Sequence, residues 1–282
     1  MKTFKKLISV ILCVLTVFSF TSLLAFAESE NLNYLVLGDS IAKGFGVKNS
    51  REASYGRIVA NTNGYNYINR GFAGCTSEDL LENVKENEYY RDDIEWADII
   101  SISVGGNDFL LDNAVLLVIE GLIFNNPSRF QKIGSKYYEN IDSIVDEIHS
   151  INPDAVILFQ TLYNAWRSPI TSKVFRLAAD TVNDSIITLY ENKGGFYIVD
   201  IAPIFEGRDD LITSDTIHPN AKANVLMAEV VLQTLYDLGL GTSVQPYIAV
   251  EGEDRDYLIE YFVFPLGHII TFAANLATGN LF

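Results

Sequence analysis

Serine, histidine and aspartate stand in this chain where they could carry nucleophilic acyl transfer. Gly38-Asp39-Ser40 lies near the start, and Asp215-Thr216-Ile217-His218-Pro219 lies well towards the end. A serine hydroxyl is a weak nucleophile until a positioned base takes its proton, and histidine is the usual base near neutral pH. His218 is the best candidate for that base. Asp215 precedes it on the same short loop, close enough to hold one imidazole nitrogen while the other faces Ser40, which fixes tautomer and orientation together. The chemistry also needs hydrogen-bond donors aimed at the oxygen that becomes negative in a tetrahedral intermediate. Asn107, in Val104-Gly105-Gly106-Asn107-Asp108, offers a side-chain amide. Gly74, ending Asn69-Arg70-Gly71-Phe72-Ala73-Gly74, offers a backbone N–H that a substrate can approach closely.

These residues are far apart in sequence, so folded elements must gather them. Strand-like runs stand at Tyr34–Leu37, Tyr65–Asn69, Ile99–Ser103, Ala155–Thr161 and Phe196–Asp200, and the first has the length and residue types of a buried strand. Between or after them, Ser54–Asn63, Ser77–Glu86, Tyr137–Ile151, Ile170–Asn192 and Asn220–Leu238 carry helical character, the last opening just after Pro219 and closing before Gly239. Alternation of strand and helix predicts a doubly wound, mostly parallel sheet covered on both faces, a three-layer α/β/α sandwich. Sites on such sheets lie at the carboxyl ends of the strands. Ser40, Gly74 and Asn107 each follow a strand in this reading.

Taken together, the GDS block, Gly74, the GGND block and the D-x-x-H pair resemble the SGNH hydrolases, also called GDSL-type esterases and lipases. The resemblance spans roughly Asn33 to Leu238. It implies a five-stranded, flavodoxin-like domain in which Ser40 is the nucleophile, His218 the base and Asp215 its partner. It further implies an oxyanion hole formed by the N–H groups of Ser40 and Gly74 and the Asn107 side chain. The sequence departs from the family's common name after the serine, where Ile41 replaces leucine, a conservative change. No metal or cofactor is implied. The expected substrate is a carboxylic ester, lipid or short-acyl, with removal of O-acetyl groups from extracellular polysaccharide and a catalytically silent binding module as alternatives.

Composition points outside the cell. Lys2, Lys5 and Lys6 precede the apolar run Leu7 to Leu24, and Ala25-Phe26-Ala27 supplies the small residues of a cleavage site, so residues 1–27 read as a signal peptide. The chain carries 20 basic and 36 acidic residues, a formal charge of −16, and losing the leader removes lysines only. Such acidity argues against nucleic acid as a partner. Cys75 is then the sole cysteine, so a domain over residues 28–240 must be held by its core rather than by a disulfide. Two apolar segments exceed a minimal domain. Leu110 to Phe124 is expected to be a core helix or the wall of an acyl groove, and Tyr163-Asn164-Ala165-Trp166 to line the same pocket. In the tail, residues 241–282, acidic Glu251-Gly252-Glu253-Asp254 leads into apolar Tyr257 to Leu276. That pattern suggests a helical extension making a peripheral contact with the domain, the active-site mouth or another subunit; the oligomeric state is left open.

Overall fold

The computed structural model describes residues 31–112, 117, 127–165 and 169–255. The chain divides into two units, Met1–Asn31 and Leu32–Phe282. The expected leader, Trp166, most of the apolar segment after Leu110 and the apolar part of the tail lie outside the described residues.

Five strands form the sheet: β1 (Asn33–Gly38), β2 (Asn66–Asn69), β3 (Ile99–Ser103), β4 (Val156–Gln160) and β5 (Tyr197–Val199). Every pairing is parallel, in the order β2-β1-β3-β4-β5. Central β1 is apolar on both faces because both are covered. Its Tyr34 and Val36 join one core cluster, while Leu35 and Leu37 join the other. This continuous burial is what a parallel sheet with helices on both sides requires.

The helices are α1 (Ser50–Ala53), α2 (Tyr55–Asn63), α3 (Ser77–Glu86), α4 (Glu88–Trp96), α5 (Gly106–Leu110), α6 (Ser128–Ile151), α7 (Pro169–Asn192) and α8 (Ala221–Asp237). One core cluster packs α3, α4, α6 and α7 against the sheet through residues such as Leu80, Ile94, Ile144 and Ile186. The opposite cluster packs α2 and α8 through Ile58, Val59, Met227 and Val231. The three-layer expectation therefore holds, with α4 as an additional helix. Its start is set locally, since the Asn87 side chain accepts the Tyr89 N–H at 3.1 Å.

Strand order reverses between β1 and β3, because the chain leaves β1 in one direction to form β2 and returns on the other side to form β3. Ligand crevices on open parallel sheets open at this point. Ser40 follows β1 and Asn107 follows β3, so the two straddle it.

Candidate active site

Ser40 leaves the sheet on a turn that Gly38 makes possible. Gly38 has φ +125°, and a Cβ there would stand 1.9 Å from the Ser103 carbonyl oxygen at the end of β3. The close approach lets the Asp39 N–H bond that carbonyl at 2.9 Å, and the Asp39 carboxylate then accepts the Ile41 N–H at 2.8 Å. The serine is thereby held at the crest of the turn, 9% exposed.

His218 arrives from a second loop, folded back on itself. Ile212 bridges Pro219, the Thr213 N–H bonds the His218 carbonyl at 2.9 Å, and the Thr216 N–H bonds the Thr213 carbonyl at 3.0 Å. Thr216 takes φ +65°, a left-handed conformation that costs a β-branched residue about 1–2 kcal/mol and persists only where its surroundings enforce it. Just beyond, Asn220 caps α8 by accepting the Ala223 N–H at 2.9 Å. Pro219 thus stands directly before the cap.

These two loops bring together the residues singled out in the sequence. His218 Nε2 lies 2.8 Å from Ser40 Oγ, and His218 Nδ1 lies 2.5 Å from Asp215 Oδ2. The other Asp215 oxygen accepts the Thr213 hydroxyl at 2.7 Å, the Ile217 N–H at 2.9 Å and the His218 N–H at 3.0 Å. Burial alone would raise the Asp215 carboxyl. Hydrogen bonds from the His218 ring and backbone and from Thr213 outweigh that and hold it below the usual carboxylate range. Asp215 is therefore an anion positioned to accept Nδ1–H from the imidazole, which leaves Nε2 free to accept a proton from Ser40.

Gly74 and Asn107 border the same space. Gly74 has φ +86°, and where its Cβ would project there is no atom within 4 Å. Neither the Ser40 nor the Gly74 backbone N–H has an acceptor among the described residues. The Asn107 amide donates one hydrogen to the Cys75 carbonyl at 3.0 Å, which aims the group and leaves its second hydrogen available. Asp108 ties this loop to the start of α3, accepting from the Ser77 N–H at 3.0 Å and from the Ser77 hydroxyl. Ser40, Gly74 and Asn107 all line one cavity.

That cavity has a volume of ≈ 430 Å³. Besides polar Asp39, Ser40, Asn107 and His218 it is lined by Phe109, Leu110, Leu111, Leu162, Phe175 and Ala178, with Tyr163 and Ala165 as anticipated. Phe45, Phe109, Leu162, Phe175 and Ala178 are lining residues that the sequence does not single out. Phe175 and Ala178 come from α7, whose apolar positions read equally well as ordinary core.

Over residues 36–226 the chain matches the family model described as the GDSL-like lipase/acylhydrolase family. The chain belongs to this family. Its members are serine hydrolases acting on ester bonds, and the matched span contains Ser40, Gly74, Asn107, Asp215 and His218. A relative in Bacillus subtilis (strain 168), the uncharacterized protein YpmR, is 24% identical over 225 residues, covering 75% of this chain and 84% of that one. Among solved structures, the lipase Lip_vut3 from a goat rumen metagenome is 21% identical with a TM-score of 0.60, covering 75% of this chain and 99% of that one. Phospholipase A1 from Streptomyces albidoflavus NA297 is 19% identical with a TM-score of 0.54, covering 69% and 94%. Both share the GDSL fold described here.

One buried carboxyl at the site has a thermodynamic signature. Asp39 is 2% exposed, and burial, with Asp108 nearby, pushes it from the ordinary 3.8 up to about 7 against the opposing backbone hydrogen bonds. A folded-state value above the unfolded one means that protonation favours the fold. The contribution is fully present below about pH 3.8 and is lost as pH rises through about 7. Asp39→Asn, which keeps an acceptor for Ile41 and never ionises, should therefore be the more stable protein at pH 8, by up to about 4 kcal/mol, with the gap closing towards pH 4. Denaturant midpoints measured across that range check it; parallel profiles for the two proteins would contradict it.

Proposed function

We infer that this protein is a secreted serine esterase that cleaves carboxylic esters with an apolar acyl group through an acyl-enzyme on Ser40. The observation that carries this reading is the unbroken line Ser40–His218–Asp215, with Ser40 and His218 lining the apolar ≈ 430 Å³ cavity.

In this mechanism Ser40 Oγ attacks the ester carbonyl carbon while His218 Nε2 takes the hydroxyl proton. The carbonyl electron pair moves to oxygen, where the N–H groups of Ser40 and Gly74 and the Asn107 amide receive the charge. Collapse of the intermediate breaks the bond to the alcohol oxygen, which leaves with the proton from His218. Water then attacks the acyl-serine with His218 again as base, the carboxylic acid departs, and Ser40 regains its proton. Asp215 holds the imidazole in the productive tautomer and balances the imidazolium that forms twice in each turnover.

Support for an acyl group longer than acetyl comes from the cavity's size and its aliphatic and aromatic walls. Each methylene that enters should add about 0.8 kcal/mol of transition-state binding, or about fourfold in kcat/KM, until the space is filled. A series of p-nitrophenyl esters from acetate to decanoate is expected to rise from acetate and then level off. Highest activity on acetate, with acetate released from acetylated xylan, would overturn this substrate class and favour polysaccharide deacetylation. Binding of such esters without any turnover would select the silent module. Secretion through the leader at residues 1–27 belongs to the same reading, supported by its charged start, apolar run and Ala25-Phe26-Ala27 ending.

A further inference from the structure

Residues 251–255 lie beyond the family match, which ends at residue 226, yet they run across the loops that carry Ser40 and His218. The segment is an extended strap. Val47 pairs with Asp254 in an antiparallel bridge, the Lys48 N–H bonds the Glu253 carbonyl at 2.8 Å, and the Arg255 N–H bonds the Gly46 carbonyl at 3.0 Å. Asn49 adds two bonds, donating from its side-chain amide to the Glu251 carbonyl at 2.9 Å and accepting the Glu253 N–H at 3.0 Å. Asp254 reaches the helix that follows the His218 loop, accepting the Ala221 N–H at 2.8 Å at the start of α8. A carboxylate is well placed there, because the first turn of a helix has unpaired N–H groups and a positive dipole end.

Between strap and site stands Phe45. Its N–H bonds the Ser40 carbonyl at 2.9 Å, so its backbone is fixed to the nucleophile's own turn. Its ring meets the His218 ring with centroids 4.9 Å apart at 60°. The Arg255 guanidinium sits 4.6 Å from the centroid of the same phenyl ring. That is within cation–π range.

We propose that Arg255 is a positioning residue for the reaction, holding Phe45 against His218 so that the imidazole keeps its line to Ser40. The strap is on this account a working part of the site, contributed by chain outside the family match. It rests on the assignment of Ser40 and His218 given under the proposed function. An imidazole anchored at Nδ1 can still rock about that bond. Packing against a fixed phenyl ring restrains the rocking, and small displacements from an attacking geometry cost rate steeply.

The test uses the full chain with Arg255→Ala, Arg255→Met and Arg255→Lys. The Ala and Met variants are expected to lose about tenfold in kcat on a p-nitrophenyl ester, with KM little changed. The Lys variant, which keeps a cation over the ring, is expected to recover most of the loss, whereas Met keeps only the bulk. In a Phe45→Ala background, Arg255→Ala should add almost nothing, since the two act through one contact. A readout independent of turnover is the downfield Nδ1–H proton resonance of His218. It is expected to be sharp in the wild type and the Lys variant and exchange-broadened in the Ala and Met variants.

A wild-type kcat and resonance in Arg255→Ala would overturn the proposal. So would a kcat loss that merely follows the unfolded fraction, or a Met variant as active as the Lys variant. If the wild type shows no Ser40-dependent turnover while the resonance still responds to Arg255, the positioning role is supported and the assigned reaction is what fails.

Discussion

Ser40→Ala is expected to lose about 10⁵–10⁶-fold in kcat while still binding substrate, leaving a residual rate that reflects binding and oxyanion donors alone. The loss should be this large because no other described residue at the cavity can substitute. Among the described residues lining the cavity, Ser40 is the sole serine, threonine or cysteine. The Tyr163 hydroxyl is committed to the Ile217 carbonyl at 2.8 Å, and Cys75 is buried with its thiol pushed up, chiefly by desolvation, so that it stays protonated. Removing one hydroxyl oxygen leaves the walls, Gly74 and Asn107 untouched, so KM and the thermal midpoint should change little. Steady-state kinetics at a matched folded concentration, with an inhibitor-binding measurement beside them, separate lost chemistry from lost binding. A residual rate within tenfold of wild type would require a different nucleophile.

Asp215→Asn is the second large effect, at about 10⁴-fold in kcat. The reason is local geometry. One carboxylate oxygen faces His218 Nδ1, and the other accepts three donors, from Thr213, Ile217 and the His218 backbone. An asparagine oxygen can satisfy only one of these sides. With the oxygen towards the three donors, its NH₂ meets Nδ1 and forces the tautomer with hydrogen on Nε2, which cannot take a proton from Ser40. With the oxygen towards Nδ1, its NH₂ confronts two backbone N–H groups and strains the loop already bent at Thr216. The first outcome removes the base, and the second displaces it by straining the loop that carries it. The measurement is kcat together with imidazole nitrogen shifts, which report the tautomer directly; a variant that keeps wild-type rate and tautomer would contradict the assigned role.

Much of this site is legible in the sequence because its parts obey short-range rules. Gly38-Asp39-Ser40 directly follows Tyr34–Leu37, a run whose composition already marks a strand, and Asp215 lies one loop turn from His218. Helix ends are readable where capping residues mark them, as at Ser77, where Thr76 and Asp79 form a reciprocal capping box. What escapes has no local signal. α6 begins at Ser128 and not at Tyr137, since Gly134 reads as a break in sequence yet lies inside the helix with its bare face against Thr181. α4 is hidden because Glu88–Trp96 is strongly polar and its buried positions, Tyr90, Asp93 and Ile94, include a carboxylate that pairs with Arg70. Phe45 sits in an irregular loop between two glycines, and its partners His218 and Arg255 lie far along the chain. Nothing in its neighbours' identities announces contacts of that range.

Turnover by this mechanism requires Ser40 to be a nucleophile that His218 activates. Covalent labelling by a fluorophosphonate, read by intact mass and peptide mapping, tests it most directly. A single adduct on Ser40 is expected in the wild type, with none in Ser40→Ala and labelling slowed by orders of magnitude in His218→Ala. An adduct on any other residue, or labelling of Ser40 at an unchanged rate without His218, would contradict it.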